Sequence, residues 1–204
     1  MGVYFLWILS TPHAMPTPTP HPFDVDVLVF AAQEGDKEAF GQLYDLYFDP
    51  IYRYVYYRAP VDEVDDLVET IFIKAWMNLD KYEKRDVQFS SWLFRIAHNA
   101  VIDYRRAHRS IAEIDPEMPD LSDKQAPKAL TEKTMLSKTV REAVDQLKEP
   151  YRQVITLKFL IGLSNPEIAE VLGEREGNVR VLQFRALKEL KDLLSEKGVK
   201  SEFL

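Results

Sequence analysis

Hydrophobic residues recur along this chain at steps of three and four. Phe40, Leu43, Tyr44, Tyr47 and Ile51 form one series, and Val64, Leu67, Val68, Ile71, Phe72, Ala75, Trp76 and Leu79 a second. A third runs from Ser90 to about Arg109 through Trp92, Leu93, Ile96, Ala97, Ala100, Val101 and Tyr104. Each series predicts an amphipathic helix, with Asp62 as the expected cap of the second. Short connections between them predict a three- or four-helix bundle. Helical spacing returns near Met135 and lasts to Leu194, with breaks at Glu149–Pro150, Gly162–Asn165 and Gly173. From Val25 onward no alternating strand pattern appears.

Between the two helical stretches the pattern lapses. Ile111 to Leu130 holds three prolines and five acids without periodicity, the composition of a tether. At the other end, Thr11–Pro22 is so rich in proline that it predicts an extended, unpacked segment. The expected chain is all-α: a disordered tail over 1–24, a helical domain over 25–109, an acidic flexible linker over 110–132, and a second helical domain over 133–204. Val3–Leu9 is apolar but far short of the roughly 20 residues that span a bilayer. No Lys or Arg precedes it, which argues against a signal peptide and against membrane insertion. Translation from Met15 instead of Met1 is an open alternative.

Composition narrows the chemistry. The 204 residues contain no cysteine, which excludes a disulfide scaffold, a thiolate zinc site, an iron–sulfur cluster and a cysteine nucleophile. Of four histidines, His13 and His21 lie in the tail, while His98 and His108 have no Ser or acid at a telling spacing. No glycine-rich phosphate loop occurs. Neither a catalytic centre nor a cofactor is expected. The 26 Lys+Arg against 33 Asp+Glu give a formal charge of −7, which on its face argues against nucleic acid.

The distribution of those charges reverses the inference. Ser164-Asn165-Pro166-Glu167 is a helix start, with a serine cap, an early proline and a glutamate three residues on to close a capping box. Ala169, Gly173 and Val179 are then spaced as two helices crossing through a tight turn require. The second helix carries an apolar stripe of Val179, Leu182, Ala186, Leu187 and Leu190. Around it lie Arg175, Asn178, Arg180, Gln183, Arg185 and Lys188. From Asn178 to Lys191 four cations face one acid, a local net of +3. Arg, Asn and Gln read base edges in the major groove, and Lys and Arg hold phosphates. A plain helical hairpin is the bland reading of the same spacing.

The helix that starts near Trp92 is also basic, with Arg95, Arg105, Arg106 and Arg109 against Asp103. Just before it, Tyr82, Phe89 and Trp92 interleave with Lys81, Lys84 and Arg85. Rings beside cations suit single-stranded DNA; rings that merely anchor a core are the alternative. The helix over Val64–Leu79 is acidic outside, with Asp62, Glu63, Asp65, Asp66 and Glu69. These acids spread round the helix instead of converging, so no metal site is expected. Ile73 and Met77 share that outer side, an apolar surface that fits a docking partner.

Two segments resemble a known family. Asp65–Tyr82 followed by Phe89–Arg106 is similar to region 2 of the sigma-70 family of bacterial RNA polymerase initiation factors. Leu147–Lys191 resembles region 4, and the short tether between them is like that of the extracytoplasmic-function (ECF) group. The resemblance covers roughly 26–109 and 133–194. It implies a non-enzymatic, cytoplasmic factor that binds core RNA polymerase at the β′ clamp helices and β flap, engages promoter DNA and answers to an anti-sigma factor. Asp65, Asp66, Glu69, Ile73 and Met77 would dock on the polymerase. Thr70 stands where relatives often have a second acid.

By the same resemblance, Tyr82, Lys84, Arg85, Phe89, Trp92, His98 and Asn99 would take the −10 element, with Arg95, Arg105 and Arg106 on phosphates. Arg175, Glu176, Asn178, Arg180, Gln183, Arg185 and Lys188 would lie on the −35 element. Glu176 and Gly177 depart from the polar positions usual there, so base preference does not transfer. A free-standing helix-turn-helix regulator, able to bind duplex DNA without polymerase, is the competing class.

Overall fold

The computed structural model describes residues 22–83, 88–114 and 132–197, with side chains at 25–83, 88–108 and 138–197. The chain divides into two compact units. Among the described residues every regular element is helical. The expected tail and tether, and the choice between Met1 and Met15, lie almost wholly outside them.

The first unit is a four-helix bundle. Its helices are α1 (Pro22–Gln33), α2 (Lys37–Tyr56), α3 (Val64–Asn78) and α4 (Phe89–Ile114), with single 3-10 turns at Val61–Glu63 and Leu79–Lys81. Helix α1 packs on α2, α2 on α3, and α3 on α4. The α1–α2 corner follows from Gly35, whose φ of +96° ends α1 in a left-handed cap. There Asp36 N donates to Ala31 O and Gly35 N to Ala32 O, both at 3.1 Å. Asp36 then caps α2, its carboxylate accepting from Glu38 N at 2.9 Å and Ala39 N at 3.1 Å. Most periodic residues of the sequence lie in the core: Leu43, Ile51, Val64, Ile71, Leu93, Ala97 and Val101 are fully buried, and Phe94 joins them.

Two boundaries differ from expectation. Asp62 does not cap α3, because it lies inside the 3-10 turn. Glu63 N instead bonds Pro60 O at 3.1 Å, and no side chain caps the start of α3. Tightened backbone turns take up the first amides, as they commonly do at helix ends. Helix α4 also runs past Arg109 to Ile114.

The second unit contains α5 (Glu132–Gln146), α6 (Glu149–Ile155), a wider π-type turn over Thr156–Ile161, α7 (Asn165–Leu172) and α8 (Glu176–Glu196). Gly162, at φ +92°, ends the π segment. Helices α5 and α6 pack on α8, burying Val154, Ile155, Leu157, Val179, Ala186, Leu190 and Leu194. Lys197 Nζ, just past α8, bonds Glu142 Oε2 of α5 at 3.0 Å.

Candidate nucleic-acid and protein interfaces

The turn between α7 and α8 forms as its sequence predicts. Ser164 N donates to Glu167 Oε2 at 2.8 Å and Glu167 N to Ser164 Oγ at 3.4 Å, a reciprocal capping box. At the far end Gly173 takes φ +67°, and Glu174 N bonds Ala169 O at 2.8 Å. Gln183 on α8 donates to Asn165 Oδ1 on α7 at 2.9 Å, tying the two helices. With Val179, Ala186 and Leu190 buried, the opposite side of α8 is presented to solvent.

That side carries Arg175, Asn178, Arg180, Arg185 and Lys188, all exposed. Arg180 is ion-paired to Glu176 at 2.5 Å, and Asn178 Nδ2 donates to Glu174 Oε2 at 2.8 Å. Glu176 therefore orients a cation, and Gln183 braces the helix pair. One residue absent from the expected set belongs to this face: Phe184 is 75% exposed, with Val181 beside it. Arg180, Phe184 and Lys188 step by four along one line, and an aromatic in a row of cations was the signal available in the sequence.

Helix α4 sorts its candidates into two rows. Trp92, Arg95, Asn99 and Arg106 follow helical spacing along the outer side, with Trp92 half-buried and the other three exposed. His98 and Arg105 turn inward toward the end of α2. The Tyr54 hydroxyl lies 3.3 Å from His98 Nδ1, and Arg105 Nε donates to the Arg58 carbonyl at 2.9 Å. Tyr82 and Phe89 are buried, as the core-anchoring alternative expects. Their centroids lie 5.3 Å and 5.4 Å from that of Trp92. Burial, with the Asp26 carboxylate adding to it, pushes the Tyr82 phenol above its usual pKa. Lys84 and Arg85 lie outside the described residues.

On α3, Asp65, Asp66 and Glu69 are exposed, and Asp65 and Asp66 occupy the first turn, where the helix dipole favours carboxylates. Ile73 is 49% and Met77 68% exposed. Trp76 was expected on the inner face but is 40% exposed. It packs edge-on against Phe40 of α2, with centroids 4.7 Å apart, beside the α2–α3 groove. That groove, about 690 Å³, is lined by Phe40, Tyr44, Phe72, Ile73 and Trp76, with Asp65 and Glu69 also on its wall. Among the described residues no three His, Cys, Asp or Glu side chains converge as metal ligands.

Comparison with known proteins decides the family. Residues 43–111 match sigma-70 region 2 and residues 137–190 match sigma-70 region 4. The ECF RNA polymerase sigma-E factor of Escherichia coli K12 is 35% identical over 170 residues, covering 78% of this chain and 88% of the relative. The chain belongs to the ECF sigma factors.

A second relative is the ECF RNA polymerase sigma factor BldN of Streptomyces coelicolor, 35% identical over 172 residues and 83% of this sigma factor. The match spans 65% of BldN's own length. Among solved structures, CnrH in complex with the cytosolic domain of CnrY superposes with a TM-score of 0.66 at 28% identity, covering 85% of this chain and 98% of that one. As a sigma factor the protein works with core RNA polymerase in promoter-specific initiation on promoter DNA. Among the described residues no helix is long and apolar enough to cross a membrane.

Proposed function

We propose that this sigma factor divides its work among three helices, with no bond made or broken by the chain itself. Helix α3 docks on the β′ clamp helices of core polymerase through Asp65, Asp66, Glu69, Ile73 and Met77, with Trp76 added. Apolar side chains rimmed by carboxylates suit a partner helix carrying aliphatic residues and cations. The β flap would hold the second unit, and the work would take place in the cytoplasm.

Helix α4 binds the opened −10 strand. Arg95 and Arg106 take phosphates, Asn99 offers an amide to a base edge, and Trp92 gives a base one ring face. Tyr82 and Phe89 hold that ring from behind. Flipping a base out costs a few kcal/mol, and stacking on an aromatic returns about 1–3 kcal/mol per base. Capture of unpaired bases thus offsets part of the cost of opening.

Helix α8 reads the −35 duplex in the major groove. The observation that carries this reading is the exposed line of Arg180, Phe184 and Lys188, flanked by Asn178 and Arg185, on a helix whose other side is buried. Arg and Asn supply hydrogen bonds to base edges, and a ring supplies contact with thymine methyls. Co-purification with core polymerase, followed by run-off transcription from a promoter selected by the holoenzyme, tests the whole reading. Retention of promoter duplex by the chain alone, without core enzyme, would favour a free-standing regulator instead.

A further inference from the structure

Gln33 is the last residue of α1. The left-handed cap at Gly35 fixes its backbone, and its side chain crosses to a segment far along the chain. Its amide nitrogen donates to Leu79 O at 2.8 Å and to Tyr82 O at 2.7 Å. Both acceptors are carbonyls, so only the NH2 end of the amide can face them, and its two hydrogens serve two oxygens.

These two oxygens bracket the 3-10 turn at Leu79–Lys81. Tyr82 N also bonds Leu79 O, at 3.1 Å, so Leu79 O is shared between the turn and Gln33. Tyr82 itself has left helical geometry, at φ −73° and ψ 121°. Its carbonyl therefore points out of any helical ladder, and Gln33 meets it there. The Tyr82 ring packs against Phe89 and Trp92, with centroids 5.5 Å and 5.3 Å away. A shift of the Tyr82 backbone would carry its ring, and with it the support behind Trp92.

We propose that Gln33 is a positioning residue for single-strand capture: it pins the Leu79–Tyr82 turn and, through the Tyr82 ring, sets the face that Trp92 offers to an unpaired base. The inference rests on the reading of α4 as the −10 surface. Glutamate at position 33 keeps the shape but turns two donors into acceptors facing two carbonyls. Leucine keeps the branching and removes the donors without adding charge.

The test uses holoenzyme assembled from the full chain and core polymerase. Native holoenzyme first selects a promoter from a pool randomised across the −10 region. The probes are the selected non-template −10 strand as a single-stranded oligonucleotide, and the same strand with one base substituted at a time. The expected result is that Gln33→Glu and Gln33→Leu each weaken binding to the selected strand about tenfold. Binding to the substituted strands should change little, so that discrimination flattens. Affinity for core polymerase, and retention of the isolated −35 duplex, should be unchanged.

Discrimination kept at the native ratio in both variants would overturn the proposal. So would an equal loss on the −10 strand, the −35 duplex and core enzyme, which would make Gln33 a residue of stability alone. If native holoenzyme itself prefers no −10 strand, the −10 assignment of α4 fails and the inference falls with it. That failure appears in the native arm, before any variant is measured.

Discussion

Arg180 and Glu176 stand one helical turn apart on α8 and share an ion pair of 2.5 Å, with the Arg180 side chain mostly in solvent and that of Glu176 partly so. An exposed i,i+4 pair contributes only about 0.3–0.5 kcal/mol, so stability gives it little significance. Its consequence lies in DNA binding. The guanidinium is aimed outward and half-neutralised before any duplex arrives, and a phosphate or base must take it from the carboxylate.

Glu176→Gln should therefore tighten binding of the holoenzyme to duplexes of any sequence at low salt. The slope of log K against log[salt] should steepen by about one unit if Arg180 meets a phosphate. Fluorescence anisotropy across a salt series measures this. Arg180→Ala should weaken binding selectively at the −35 element; equal loss on every sequence would mark a phosphate contact alone.

Phe184 gives a cleaner separation of fold from function. At 75% exposed it contributes little to the core, and surface substitutions of this kind usually change stability by no more than about 0.5 kcal/mol. Phe184→Ala should leave the unfolding midpoint in place while reducing affinity for the selected −35 duplex several-fold. Substituting uracil for each thymine in turn should then abolish the difference between native and variant at the position the ring touches. Unchanged affinity would remove the ring from the interface.

For the polymerase surface, Asp66→Arg and Met77→Glu are the informative changes. Both residues are exposed, so the helical circular dichroism should hold, with the thermal midpoint slightly lowered for Asp66→Arg because a cation then stands in the first turn of α3. Affinity for core polymerase should fall at least about tenfold for each, the scale of a substantial interface residue. Equal affinity would take α3 out of the contact. Thr70→Glu, which adds a further acid to the exposed side of α3, should strengthen binding modestly and more so at low salt.

How much of this was legible depends on the range of the interaction. Asp36, Gly35 and the Ser164–Glu167 box act within a few residues, so local spacing carries their structure. Phe184 was legible in principle, as a ring out of register with the stripe of Val179, Ala186 and Leu190. Tyr82 and Phe89 could not be sorted from Trp92 by composition, because all three rings sit beside cations and only the packing of α2 and α4 decides which is covered. Trp76 kept the helical register yet faces a groove, since register gives direction and not what stands opposite. Gln33 was invisible, because its partners lie more than forty residues away and are backbone carbonyls.

The turn of the recognition unit allows a test in which sterics and backbone strain separate. A Cβ built on Gly173 meets nothing within 4 Å, while its φ is +67°. Gly173→Ala therefore suffers no clash, and its cost is the left-handed backbone alone, about 1–2 kcal/mol. Gly173→Asn should cost less, since asparagine tolerates that region. Ser164→Ala removes one bond of the capping box and should cost about 1 kcal/mol. Trp7, Trp76 and Trp92 all lie outside α7 and α8, so tryptophan fluorescence would miss these changes. Hydrogen exchange of α7 and α8 amides in the full chain reads them directly. Protection there should fall in the order Ala, then Asn, at position 173, with α3 and α4 unaffected. If alanine and asparagine cost the same, αL strain does not govern this turn. The −35 duplex should then be bound more weakly by Gly173→Ala in proportion to the lost protection, because α8 can be presented only when the turn is formed.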